Sequence, residues 1–246
     1  MRTLIFVMIG LFAASWTPAF AQADVFFVPN PETAIWSYRE TNHQTGEVRL
    51  VEYSVQKMTG DAVNGQAEVR MLNQKMGEEA PADTTFLLYR FDQGELILDL
   101  GAMFSGDLFV QMMESSGAME SVPAADRDEF YQKLRENIEV SGQVRGVPRY
   151  PEVGKLPDYE LKIKLLFFNI KIRGKARKIT GVETVKTPAG DYECFVLTED
   201  VSTKAMMSTE KSRVKTWYAY GIGVVKQESY DDDELTSTLL LDTINW

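Results

Sequence analysis

Apolar and polar residues alternate with a period of two in short blocks along most of this chain. That is the pattern of strands that bury one face and hydrate the other. In the first half the blocks run Ile35 to Thr41, Glu47 to Lys57, Gln66 to Lys75, Thr84 to Phe91 and Glu95 to Leu100, each rich in β-branched or aromatic residues. Between them Gln44-Thr45-Gly46, Asn64-Gly65 and Asp92-Gln93-Gly94 tolerate the backbone of tight turns, which makes this half a meander of hairpins. The period then changes. Phe130, Tyr131, Leu134 and Ile138 form one stripe at helical spacing, predicting an amphipathic helix entered near Ser121 and Pro123 and stopped by Gly142. After a loop marked by Pro148, Pro151, Gly154 and Pro157, alternation resumes over Tyr159 to Arg173, Ala176 to Thr187, Asp191 to Val201, Glu210 to Ala219, Gly223 to Tyr230 and Leu235 to Ile244. About eleven strands and one helix predict a mainly-β fold. So many antiparallel strands must curl to manage their edges, as a strongly curved antiparallel sheet, barrel or half-barrel, with the helix laid against its concave face.

The N-terminus follows a different logic. Arg2 precedes an apolar run from Leu4 to Ala14, and Ala19-Phe20-Ala21 is a small-x-small site that a signal peptidase accepts. Residues 1–21 read as a signal peptide cleaved before Gln22, and residues 22–246 as one β-rich domain. The apolar run is short for a bilayer span and is followed by Pro18, so no transmembrane anchor is expected after cleavage. The expected destination is the periplasm or the outside of the cell.

Charge and composition mainly exclude. The 246 residues carry 26 Lys and Arg against 36 Asp and Glu, a net charge of -10. A chain this acidic lacks the attraction to phosphate that nucleic-acid binding needs. One Cys and one His leave no disulfide framework and no Cys/His zinc cluster. No cofactor is expected. Cys194 alternates with Tyr192 and Val196 on one strand face, the surroundings of a buried structural thiol, while His43 lies in a polar turn, so the two do not read as a catalytic pair. There is no G-x-S-x-G elbow. The acidic run Asp231 to Glu234 falls where a hairpin tip is expected and lacks the spacing of a calcium loop. The pairs Met112-Met113 and Met206-Met207 read as adaptable apolar lining rather than copper ligands.

Two features rise above this background. From Leu161 to Val182 there is no acidic residue, whereas Lys162, Lys164, Lys171, Arg173, Lys175, Arg177 and Lys178 are all basic, a patch suited to an anionic partner. The same stretch contains Leu165-Leu166-Phe167-Phe168-Asn169-Ile170, apolar at successive positions. A strand of that kind must be covered on both faces, which fits a filled core or the wall of an apolar cavity. Phe130, Leu134, Leu166, Phe168 and Ile170 are the residues expected to line such a cavity.

Three longer motifs carry a resemblance: Tyr150-Pro151-x-x-Gly154-x-Leu156-Pro157-Asp158; Gly181-x-Glu183-x-Val185-x-Thr187-Pro188-Ala189-Gly190-x-Tyr192-x-Cys194; and Trp217-Tyr218-Ala219-x-Gly221-x-Gly223-x-Val225-Lys226. With the opening Phe27-Val28-Pro29 and Trp36-Ser37-Tyr38, their order and spacing resemble the TapB-like family of exported bacterial proteins, a domain of unknown function. The resemblance implies an exported, β-rich domain without a cofactor and without a settled reaction, with relatives common in Bacteroidetes. The motifs also have a plain physical reading: Thr187 to Gly190 is a hairpin turn, and the glycines around Ile222 mark a strand kink. The function expected is a non-enzymatic exported cell-envelope protein that binds a lipid-like, apolar or amphipathic ligand, or an envelope protein partner. The alternative is an envelope hydrolase acting through paired carboxylates.

Overall fold

The fold is taken from a computed structural model, which describes residues 35–61, 63–77, 83–100, 123, 126–165, 168–205 and 208–245. The signal segment Met1 to Ala21, the Phe27-Val28-Pro29 opening, the helix entry at Ser121, Leu166 and both methionine pairs lie outside the described residues. The alternating blocks of the first half become β1 (Ile35–Asn42), β2 (Val48–Gly60), β3 (Gly65–Lys75), β4 (Asp83–Asp92) and β5 (Glu95–Leu98). Among the described residues one helix, α1 (Arg127–Glu136), follows. Then come β6 (Ile138–Gly142), β7 (Val144–Arg145), β8 (Gly154–Lys155), β9 (Tyr159–Leu165), β10 (Phe168–Thr187), β11 (Gly190–Ala205), β12 (Ser208–Ala219), β13 (Gly223–Asp231) and β14 (Glu234–Asn245).

All fourteen strands join one sheet in the order β6-β9-β10-β11-β12-β13-β14-β1-β2-β3-β4-β5-β7, with β8 paired beside β10. Every pairing is antiparallel. The two ends of this order, β6 and β7, are neighbours in sequence with only Gln143 between them. The stretch 138–145 therefore nearly closes the barrel, β6 pairing with β9 and β7 with β5. The change of partner occurs at Gly142, whose φ is +84°. A Cβ there would overlap the Glu160 carbonyl, so the seam can close only over a glycine.

Three expectations are corrected. Among the described residues the strands number fourteen rather than about eleven. The block Tyr159 to Arg173 is not one strand: β9 ends at Leu165, β10 starts at Phe168, and these two residues pair across a hairpin. The run Leu165 to Ile170 thus straddles the end of β9 and the start of β10 and is not one strand covered on both faces. No Gly, Asn or Asp marks the turn, which is why the pattern hides it. The helix also stops sooner. Asn137 Nδ2 donates to the Lys133 carbonyl at 2.7 Å, and Ile138 begins a strand, because five residues alternate against β9 where a helix would have turned them away.

The core sits between the inner faces of the strands. Trp36, Tyr38, Val51, Tyr53, Val69, Leu87, Tyr89 and Leu98 are buried on β1 to β5 at the alternate positions that the pattern predicts. Tyr38 meets Tyr53 edge-on at 5.6 Å between ring centres, and its hydroxyl donates to the Val224 carbonyl at 3.0 Å, tying β1 to β13. The turn between β13 and β14 is Asp232-Asp233, both at positive φ, as in the primed turns that suit hairpin twist.

Candidate functional site

The wall made of β6, β9, β10, β11 and β12 has two chemically different faces, and the register shows how strictly they alternate. Val140, Ile163, Ile170 and Ala205 pair in one row across four strands. The next inward-facing row is Gly142, Leu161, Ile172, Thr203 and Glu210. Leu161, Ile163 and Ile172 are buried in the core, whereas Val140 and Ile170 pack against it half-buried. On β6, β9 and β10 the inner wall therefore stays aliphatic toward solvent at Val140 and Ile170, whereas on β11 and β12 it carries Thr203 and Glu210. Of the residues expected to line a cavity, Ile170 is in this row and Phe130 is half-buried on α1. The side chains of Leu134 and Phe168 lie outside the described set, as does Leu166 altogether. Val140 and Ile163 were missed, Val140 because it lies in the stretch that reads as helix and Ile163 although it belongs to an alternating run.

On the outer face the intervening rows are basic. Lys162, Lys171 and Lys204 stand directly opposite one another on β9, β10 and β11. The next row holds Glu160, Arg173, Ser202 and Lys211. Glu160 accepts from Lys162 at 2.9 Å, Lys171 at 2.9 Å and Arg173 at 2.6 Å, and these three cations hold its carboxyl far below the usual carboxylate range. Lys164 pairs with Glu139 at 2.6 Å. Lys175 and Lys178 are exposed. The sequence reading stopped at Val182 and so missed Lys204 and Lys211, which the hairpin brings alongside.

Arg177 does not belong to this patch. It is 2% exposed and points inward. Between Lys175 and Lys178 the β10 strand carries one more residue than its β11 partner, with Ala176 at φ +51°, and this bulge reverses which side of the sheet each position faces. Inside, Arg177 Nε donates to Glu199 Oε2 at 3.0 Å and Nη1 to the Pro157 carbonyl at 2.9 Å. Its Nη2 donates to the carbonyls of Arg145 and Gly146 at 2.8 and 2.7 Å. The guanidinium also stands 5.1 Å from the centre of the Tyr159 ring, which lies across Gly174 in the space a Cβ would fill. Burial raises the Glu199 carboxyl above its ordinary value, an effect that the charge and hydrogen bond of Arg177 oppose. Arg177 is thus a latch between β10, β11 and the segment just past the seam strand.

Among the described residues three carboxylates have raised proton affinity, Glu40, Glu95 and Glu199, each through burial and each with an arginine as its leading opposing charge: Arg49, Arg145 and Arg177. Cys194 is fully buried, its thiol donates to the Tyr192 carbonyl at 3.5 Å, and burial pushes it up to about 12. His43 is exposed, with Nε2 2.9 Å from Thr238 Oγ1. Among the described residues no cluster of three or more His, Cys, Asp or Glu is arranged to hold a metal.

Comparison with known proteins places this geometry. The model of a family described as DUF3108-like matches residues 32–241. The crystal structure of a candidate lipoprotein from Parabacteroides distasonis superposes with a TM-score of 0.58 at 17% identity, over 89% of this chain and 98% of that one. A candidate exported protein with a YmcC-like fold from Bacteroides fragilis superposes with a TM-score of 0.59 at 18% identity, over 89% of this chain and 99% of that one. At such identities the likeness concerns the fold. No curated protein matches the chain. The family model that matches is the DUF3108-like one; the TapB-like name does not emerge from the comparison.

Proposed function

The chain belongs to the DUF3108-like family, and on that footing we propose that it is exported to the cell envelope, processed after Ala21, and acts there as a non-catalytic barrel that holds an apolar or amphipathic guest. The observation that carries this reading is the row Val140, Ile163 and Ile170. Val140 and Ile170 are aliphatic although only half-buried on either side of the buried Ile163, whereas a wall that only sealed a filled core would turn polar as it reached water. An amphipathic guest also finds a polar group on the inner face. Glu40 shares the face of Trp36 and Tyr38, and its Oε2 is buried without a hydrogen-bond partner. The names of the two structural relatives, a candidate lipoprotein and a candidate exported protein, support the envelope location.

The test is native mass spectrometry of the protein isolated from its own host. We expect a mature N-terminus at Gln22 and a bound lipid-like mass. Ile170→Glu should remove the bound mass and the saturable uptake of anilinonaphthalene sulfonate while leaving the thermal melt nearly in place, because Ile170 is only half-buried. A parent protein that carries no guest and takes up no dye overturns the binding reading. An N-terminus at Met1 on envelope-fractionated protein overturns the processing.

A further inference from the structure

We infer that the open edge of β10, from Val182 to Lys186, pairs with the same edge of a second copy of this chain, joining two barrels through one continuous sheet. This role is separate from whatever the interior holds. On one side β10 pairs with β11 as far as Thr187. On the other side β9 leaves it at Gly174 and β8 covers Lys178 and Ile179, so among the described residues no strand lies along Thr180 to Thr187. That stretch meets solvent: Thr180, Val182, Glu183, Thr184 and Lys186 are exposed.

The phase of the edge follows from its hairpin. Pro188 and Ala189 form a loop closed by the pair Thr187 and Gly190, which in such a hairpin exchange both main-chain hydrogen bonds. From there the register runs without a shift back to Gly181. Val185, Glu183 and Gly181 therefore bond to β11, whereas Lys186, Thr184 and Val182 point their N–H and C=O groups outward. Among the described residues none of these three has a main-chain partner on that side. Such an edge is a template for another strand, and little guards it. Glu183 is turned toward Trp217, whose Nε1 donates to it at 2.7 Å, which leaves Lys186 as the charge among the outward residues.

A second copy fits this edge in phase, in charge and in shape. The outward residues are symmetric about Thr184, so a two-fold axis there sets Thr184 opposite Thr184, and Val182 opposite Lys186 of the second copy. All the outward groups are then met at once. No like charges face each other: Glu183 stands across from Val185, and the Lys186 stem covers the exposed Val182. An axis at Glu183 would instead set that acid against itself. In the Thr184 register the residue opposite Thr180 is Pro188 of the second copy. Its Pro188-Ala189 loop thus arrives where β8 ends at Gly154, beside Val153 and Tyr150. Val182, Val153 and Tyr150 are three of the four exposed large apolar side chains among the described residues. They share one region. Phe195, opposite Val182, meets Tyr220 edge-on at 5.4 Å, the Tyr220 hydroxyl donates to the Arg149 carbonyl at 3.0 Å, and the Arg149 guanidinium stands 5.0 Å from the Tyr150 ring centre.

The experiment is sedimentation velocity of the full protein from about 5 to about 200 μM, which should show a monomer–dimer equilibrium, since one strand pair lies at the small, transient end of interfaces. Val182→Lys sets a lysine against Lys186 of the second copy and should weaken association at least about fivefold. Thr184→Pro removes an outward N–H that the fold does not use and should weaken it at least about tenfold. Neither should move the melt of the monomer by much. Thr184→Cys places two thiols at the axis with Cα atoms about 5.5 Å apart, within disulfide reach. Oxidation should link it at least about tenfold faster than Lys186→Cys, whose Cα atoms would stand about 14 Å apart. Cys194 is fully buried and does not compete. The inference is overturned if the parent stays monomeric across this range, which would leave the edge to a different polypeptide. It is also overturned if Val182→Lys and Thr184→Pro associate like the parent, or if Lys186→Cys links as fast as Thr184→Cys.

Discussion

Replacing Arg177 by Met should be among the most damaging single changes available to this barrel. The substitution keeps a long unbranched side chain but removes the bond to Glu199 and three bonds to the carbonyls of Arg145, Gly146 and Pro157. Breaking a buried ion pair by removing one partner costs about 3 to 5 kcal/mol, because the other charge stays buried. The carbonyls left without donors add about 1 kcal/mol each at the low end. These terms overlap, so we expect a loss of about 5 kcal/mol in urea unfolding followed by circular dichroism and tryptophan fluorescence. The paired substitution Arg177→Met with Glu199→Met removes the stranded charge while leaving the carbonyls, and should be more stable than the single variant by about 2 kcal/mol. The pH dependence has a definite sign. The Glu199 carboxyl is raised in the folded protein above its ordinary 4.5, and without Arg177 it rises further. A raised carboxyl contributes stability that is fully present below the unfolded value and is lost as pH rises through the folded value. The deficit of Arg177→Met should therefore be smaller near about pH 5 than near about pH 8. A single variant costing less than about 1 kcal/mol, or a double variant no more stable than the single, would refute the latch.

Two further outcomes follow from the seam and the core. Gly142→Ala forces a side chain into a left-handed backbone and against the Glu160 carbonyl, and should cost roughly 3 kcal/mol and speed amide exchange across 138–145; unchanged exchange there would mean that the seam does not depend on the glycine. Cys194, fully buried with its thiol pushed up to about 12, should resist iodoacetamide in the native protein and react only on unfolding. Cys194→Ser should cost about 1 to 3 kcal/mol through the buried hydroxyl, and rapid native labelling would contradict this packing.

The sequence by itself determined the elements whose cause is local. Period-two alternation in β2 and β3 places the same residues inward that the barrel buries, Val51, Tyr53 and Val55 on one and Ala67, Val69 and Met71 on the other, since a strand's two faces are set by covalent geometry alone. The hairpin turns at Thr187 to Gly190 and Asp231 to Glu234 were legible because Pro, Gly and consecutive acids declare themselves in any context. Lys162, Lys164, Lys171 and Arg173 were legible as a basic face for the same reason. Only the tertiary structure decided what depends on pairing. The hairpin within Leu165 to Phe168 has no turn residue to announce it. The bulge at Ala176 exists because β10 runs one residue ahead of β11, and it alone sends Arg177 inward while its basic neighbours stay outside. The union of Lys204 with Lys162 and Lys171, and the closure of the barrel by β6 and β7, join residues far apart in sequence. Register and closure are properties of which strands meet, and no run of neighbouring residues encodes them.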